Sequence, residues 1–306
     1  IGVDSPDSVD AYKDVVDFIM DDNKLVIEPM PGSTAEISGA TCIVFSDDNT
    51  GMVIDGLVFD ALTIGITQSC YTGGRNASIL LDGNASGPAS GNKVINSTFK
   101  GDLATRSTEL AATDYNYISL GGTNNAVERN EFLGKYVDLD TNAGAAIVVL
   151  SDAVADQNQG NIVQYNLFKD FAQFEIVDDA VDTDAHAIKV GTSTGTDAVG
   201  TGDHEILYNR FDNLETAGAA ISVHSSLNSI TGNTLNLVEG GMSLLDGYGN
   251  TVNQNIFVGD GASNQITGIL FSPLGHQITD NYATLTRRWF LGLTYEALAN
   301  DGNAAI

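Results

Sequence analysis

The sequence predicts an all-β protein, a right-handed parallel β-helix with an N-terminal capping helix. Three observations carry that expectation: a short motif that recurs along the chain, a second apolar alternation ahead of each copy, and links too short for crossover helices. The motif is an Ile or Val, two variable residues, usually Asn, one variable residue, then usually Phe. It reads Val127-Glu-Arg-Asn130-Glu-Phe132, Val163-Gln-Tyr-Asn166-Leu-Phe168, Ile206-Leu-Tyr-Asn209-Arg-Phe211, Ile230-Thr-Gly-Asn233-Thr-Leu235, Val252-Asn-Gln-Asn255-Ile-Phe257 and Ile278-Thr-Asp-Asn281-Tyr-Ala283, with weaker copies from Ile54 and Val94. Successive copies start 40, 33, 36, 43, 24, 22 and 26 residues apart, so the C-terminal half approaches one short coil per copy and the longer copies loop out. Strand, turn, strand at such a period is the signature of a solenoid.

Taken in chain order, residues 1–24 form the expected cap. From Ser8 to Asp22 the apolar residues Val9, Tyr12, Val15, Val16, Ile19 and Met20 share one face at helical spacing, and an open solenoid end needs cover against edge-to-edge association. Residues 25–286 are the coils. Their second alternation is Ile79/Leu81, Ile118/Leu120, Ile147/Val149, Ile188/Val190, Ile221/Val223, Met242/Leu244 and Ile269/Phe271, each pair bounded by Gly, Ser or turn residues as strands are. Asn in the motif suits a tight bend, because it tolerates left-handed backbone, and its amide can bond to the next coil. The Phe slot stacks inside the tube. Segments 151–160 and 192–203 are expected to rise as loops. Residues 287–306 hold a candidate helix, Trp289 to Ala299, and end without a finished coil, so the natural chain is expected to continue.

Charge narrows the function classes. Thirteen basic against 40 acidic residues give a net charge of −27. That field repels phosphate backbones and anionic lipid, so neither nucleic acid nor a membrane is an expected partner. No apolar run reaches the roughly 18–20 residues of a membrane-spanning helix. An acidic, Lys-poor surface suits salty water, as in marine or halophilic settings. Cys42 and Cys70 either pair or stay as two buried thiols; the sequence leaves both open.

Outward residues on the second strand of each coil fall into columns. One contains Lys189, Ser222, Ser243 and Leu270; the next contains Gly191, His224, Leu245 and Ser272, with Asp246 just beyond. His224 follows small residues and is expected to be exposed. With Lys189 it forms the candidate catalytic pair; Ser222, Ser243, Asp246 and Tyr248 are candidate substrate-binding residues. A groove of this kind suits an extended polymer. Asp178, Asp179, Asp182, Asp184 and His186 have the composition of a hard-cation site but lack the glycine and terminal glutamate of a calcium loop, so a solvated acidic face is the favoured reading. His204 and His276 occupy one position in two coils and are assigned to a turn; Arg287 and Arg288 are read as a surface pair. No Ser/His/Asp order, phosphate loop or Cys/His metal spacing stands out.

The coil sequences resemble a known family. Ala219-Ala-Ile-Ser-Val-His-Ser-Ser-Leu-Asn228, Glu239-Gly-Gly-Met-Ser-Leu-Leu-Asp-Gly247 and Thr267-Gly-Ile-Leu-Phe are similar to central coils of the alginate lyase and chondroitinase B family, polysaccharide lyase family 6. Ile54-Asp-Gly-Leu-Val-Phe59, Asp114-Tyr-Asn-Tyr-Ile, Asn130-Glu-Phe-Leu-Gly-Lys135 and Ala187-Ile-Lys-Val-Gly-Thr-Ser193 support it, over roughly residues 25–286. The resemblance implies β-elimination in uronic-acid polymers: a base takes the C5 proton, a cation neutralises the carboxylate, and a donor protonates the leaving C4 oxygen. It places the family's base Lys at His224, its Arg at Leu245, the following His at Asp246 and its calcium glutamates at Ala217 and Ala219. All five differ, so no cofactor is expected, and a proton donor would have to be Tyr208 or Tyr248. Three functions follow as expectations. The first is a catalytically degenerate β-helix domain that binds acidic or neutral polysaccharide or supports a further domain of the same polypeptide. The second is an active lyase rearranged around His224. The third is a non-catalytic solenoid scaffold or adhesin. The expected location is secreted or periplasmic.

Overall fold

The computed structural model describes residues 16–21, 24–40, 43–45, 50–63, 77–81, 89–101, 116–138, 145–150, 158–174, 186–191, 202–214, 219–260, 268–284 and 290–293. Each coil contributes one strand to each of three sheets. Glu205–Leu207, Arg210–Leu214 and Ile221–Val223, for example, lie in the first, second and third sheets, and Ser229–Thr231 then returns to the first. Pairing between coils is parallel and in register: Ile206 sits against Ile230, Phe211 against Leu235 and Ile221 against Met242. This is the right-handed parallel β-helix, and no helix occurs among the described residues.

The inward residues of all three sheets merge into one core that runs from Ile27 to Ile269. The phenylalanine slot builds a stack, Phe59–Phe99–Phe132–Phe168–Phe211, with neighbouring ring centroids 4.7–4.8 Å apart and planes within 10°. Each such contact is worth about 0.5–1.5 kcal/mol beyond the area it buries. Leu235 interrupts the column before Phe257.

The asparagine slot works differently from the expectation. Left-handed backbone belongs to the residue just before it: Arg129, Tyr165, Tyr208, Gln254 and Asp280 all have φ of 54–57°. Non-glycine residues hold that conformation at a cost of about 1–2 kcal/mol. The asparagine offsets the cost by bonding between coils. Asn209 Oδ1 accepts the backbone N–H of Asn166 at 3.0 Å, Asn209 Nδ2 donates to the Val163 carbonyl at 2.8 Å, and the Asn209 N–H donates to Asn233 Oδ1 at 2.9 Å. The same pattern continues through Asn255 to Asn281.

A second ladder, not anticipated, lines the bend between the third and first sheets. It runs Asn92, Asn125, Asn161, His204, Asn228, Asn250 and His276. Both histidines use Nδ1 where the others use an amide oxygen, accepting the N–H of Asn161 and of Asn250 at 3.2 Å. Their turn role is therefore an inter-coil hydrogen bond made by a neutral ring. His204 Nε2 donates to the Leu150 carbonyl at 3.0 Å, and burial lowers its pKa from 6.5 to about 4.

Two end assignments need correction. The expected capping helix from Ser8 to Asp22 is, over Val16–Asp21, a β-strand antiparallel to Lys24–Pro29, with Phe18 opposite Ile27; Ser8 to Val15 lie outside the described residues. Val16, Phe18 and Ile19 are good strand formers, and the edge at Lys24–Pro29 offers unpaired backbone groups that a hairpin satisfies and a helix would not. At the other end, Leu291–Leu293, read as part of a helix, is a strand paired with Ile269–Phe271 that extends the third sheet. Cys42, Cys70, Arg287 and Arg288 lie outside the described residues.

Candidate functional site

The third sheet carries the candidate residues on its outer face. Ile221 and Val223 point into the core, so alternation turns Ser222 outward. Register places Val148, Lys189, Ser222, Ser243 and Leu270 side by side on successive coils. Backbone hydrogen bonds set the next column as Gly191, His224, Leu245 and Ser272, since each donates its N–H one coil back, to Val149, Val190, Val223 and Leu244. Both predicted columns are thus present. Gly191 is left-handed at φ 81°, and a Cβ there would meet the His224 backbone and Cβ at 2.9–3.3 Å, so glycine leaves room for the imidazole's own coil.

His224 is not exposed as expected: it is only 5% accessible. Its ring lies back along its own strand, where Nε2 is 2.9 Å from Ser222 Oγ, while Nδ1 is 3.0 Å from Asp246 Oδ2 on the next coil. Ser243 Oγ donates to Ser222 Oγ at 3.2 Å. One proton arrangement satisfies all three contacts: Ser243 donates to Ser222, Ser222 to Nε2, and Nδ1–H to the Asp246 carboxylate. Burial lowers the His224 pKa; the bond to Asp246 opposes this, and the charges of Lys189 and His186 reinforce it. The ring is neutral at neutral pH.

A Ser/His/Asp line therefore exists, contrary to the sequence reading. Its signal was available: Ser222 and His224 are two apart on one strand face, and the repeat register brings Asp246 beside the ring. It was missed because the residues follow none of the familiar chain orders of hydrolase triads.

The remaining candidates separate. Lys189 neighbours Ser222 across the sheet and is close enough to His224 to act on its titration. Asp246 has a side chain 43% exposed, which opens the line to solvent at that end. Tyr248 is exposed at the following bend, where its N–H donates to Ser226 Oγ at 3.1 Å. Tyr208 belongs elsewhere. It sits at the bend between the first and second sheets, stacked on Tyr165 with centroids 5.3 Å apart, beside a surface recess of about 440 Å³ that Lys169, Arg210 and Asp212 also line. His186 is buried, with Nδ1 2.7 Å from the Ala219 carbonyl oxygen. The four aspartates that precede it and Ala217 lie outside the described residues. Ala219 offers a metal only a buried methyl, and His186 engages its carbonyl; this position does not fit a calcium ligand.

Comparison with known proteins agrees with this architecture. No curated protein matches the sequence. A solved PL6 alginate lyase in complex with a trisaccharide is 25% identical, with a TM-score of 0.68, over 86% of this chain and 50% of its own. The alginate lyase AlyF-OU02 in complex with G6 is 21% identical, with a TM-score of 0.63, over 87% of this chain and 53% of its own. PfbA, a surface adhesin of Streptococcus pneumoniae, shares the fold at 15% identity and a TM-score of 0.52, over 88% of this chain and 60% of its own. The chain thus spans about half the length of the lyases it matches. The chondroitinase B family profile matches residues 75–289, most of the coils and the whole candidate site, so the chain belongs to the chondroitinase B family.

Proposed function

We propose that this chain is a polysaccharide-binding β-helix domain of the alginate-lyase type, associated with degradation of uronic-acid polymers and devoid of β-elimination activity. The observation that carries this reading is the state of His224, which stands where the family resemblance puts the base. Both of its ring nitrogens are engaged, by Ser222 and Asp246, and the ring is buried. Abstraction of a C5 proton needs a base whose lone pair reaches the substrate. Leu245, at the position of the family's arginine, can neither hold a carboxylate nor move a proton. Similarity to lyases solved with a trisaccharide and with G6 supports a glycan ligand. The location proposed is secreted or periplasmic, as a polymer substrate requires.

One observation favours a second reading, an active lyase rearranged around His224. Lys189 lies beside Ser222 and could neutralise a uronate carboxylate while a neutral His224 acts as base. Electrophoresis through gels containing alginate, run alongside detection of unsaturated uronate ends, separates the readings. Retardation without product supports a binding domain. Product that disappears in His224→Ala overturns it in favour of the lyase. Neither retardation nor product, across glycans and at low and high salt, leaves the scaffold role that the PfbA fold exemplifies.

A further inference from the structure

The position just before the ladder asparagine is a left-handed bend that Arg129, Gln254 and Asp280 occupy in their coils. In two adjacent coils it holds tyrosine instead. Tyr165 and Tyr208 are 53% and 48% exposed and stack with centroids 5.3 Å apart and planes 11° apart. In the next coil the same slot is Gly232, at φ 70°, where a Cβ would meet Tyr208 Cδ1 and Cε1 at 2.5 Å, so glycine seats the ring. The bend itself does not require an aromatic pair, since other coils form it with polar residues. Exposed aromatic surface is what the apolar faces of sugar rings pack against.

The recess of about 440 Å³ beside the tyrosines has Lys169, Arg210 and Asp212 as its charged residues. Two are basic and one acidic, so its lining carries 2 − 1 = +1 in a chain of −27. Arg210 is held in place: its Nη2 donates to Asp212 Oδ2 at 2.6 Å, and Asn236 Nδ2 donates to the other Asp212 oxygen at 2.5 Å. The Arg210 side chain is nonetheless 63% exposed, and a guanidinium has further N–H donors that match the two oxygens of a carboxylate. Lys169, paired with Asp170 at 3.5 Å, adds a second cation.

From this arrangement we infer that the corner between the first and second sheets binds a uronic-acid polysaccharide, with sugar rings against Tyr165 and Tyr208 and a uronate carboxylate on Arg210. The inference rests on the glycan reading above and gives it a location, away from the third sheet, where Ser222 and His224 are buried. A carboxylate on the guanidinium lies within about 3 Å, no further than the screening length at 1 M salt, whereas repulsion from the rest of the chain acts over longer distances. Salt therefore removes the repulsion before it removes the contact, and retention rises with salt.

The test measures retention of the whole 306-residue chain on an alginate gel. Wild type is compared with Arg210→Gln and with Tyr165→Gln/Tyr208→Gln, which puts in both coils the residue that the slot holds at Gln254; urea unfolding of each variant is followed in parallel. Both variants should unfold near wild type and bind alginate at least ~10-fold more weakly, the scale of tyrosine and arginine anchors. Undiminished retention of either folded variant overturns the site while the glycan reading stands. If the double variant does not fold, Arg210→Gln, at an exposed position, decides alone. A wild-type chain that alginate does not retain at any salt overturns the glycan reading, and the site with it. Equal retention of wild type on a neutral glucan gel overturns a uronate as the ligand.

Discussion

Replacing His204 by asparagine tests the ladder and its electrostatics together. His204 is fully buried and serves as an acceptor through Nδ1. Burial disfavours the charged ring, against the opposing bond to the Leu150 carbonyl, and the pKa falls from 6.5 to about 4; protonation of Nδ1 would also put a donor where Asn161 N–H already donates. In the unfolded chain the ring regains its ordinary pKa near 6.5. Between those values the unfolded state binds the extra proton, so stability is complete above about pH 6.5 and declines as pH falls toward 4. The window is 6.5 − 4, or about 2.5 units, and at about 1.36 kcal/mol per unit the loss is about 3 kcal/mol. His204→Asn restores the residue found at most other rungs and does not titrate. Urea unfolding of wild type and variant between pH 7.5 and 4 should show the variant losing about 3 kcal/mol less. At neutral pH it should be within about 1 kcal/mol of wild type, from the unmatched Leu150 carbonyl. His224 and His276 shift in the same direction, so a residual acid slope persists. An unchanged slope in His204→Asn would refute the assignment of His204 as a neutral rung.

Four further outcomes follow from the packing and the charge. Asn209→Ala leaves the Asn166 N–H and the Val163 carbonyl without their buried partners and should cost about 4 kcal/mol in denaturant unfolding. Asn281→Ala, at the part-exposed end of the same ladder, should cost about 1 kcal/mol because water can reach the freed groups. Phe168→Ala removes a ring stacked on both faces by Phe132 and Phe211 and should cost about 3–5 kcal/mol by the same measurement. Retention on an alginate gel should strengthen as salt rises, because the net charge of −27 opposes a polyanion until the screening length shrinks to about 3 Å at 1 M; weakening with salt would point to cationic contacts instead.

The repeat made the fold legible because one hydrogen-bond rule and one packing rule are written into every coil. An Asn that bonds to the next coil and a Phe that stacks on the next ring recur at fixed offsets, and no long-range information is needed to read them. The ends were not legible for the converse reason. Val16–Asp21 pairs with Lys24–Pro29, the strand that follows it in chain order, but its apolar residues fit a helical face or a hairpin equally well, and no repeat copy marks it. At the site, the column that sets Lys189 beside Ser222 and Ser243 came directly from register. The burial of His224 and its bonds to Ser222 and Asp246 did not, since they depend on the ring's rotamer, which register alone does not set. The second ladder was half visible: His204 and His276 shared a slot, but their equivalence to Asn161 and Asn228 emerges only when the hydrogen bonds are traced.

The proposed function rests on a closed, neutral His224 standing in place of the family's elimination machinery. The most direct measurement is the appearance of unsaturated uronate ends over time with alginate and chondroitin sulfate, for wild type and His224→Ala. No unsaturated ends are expected from either protein on either polymer. Ends that accumulate with wild type and vanish in His224→Ala would contradict it.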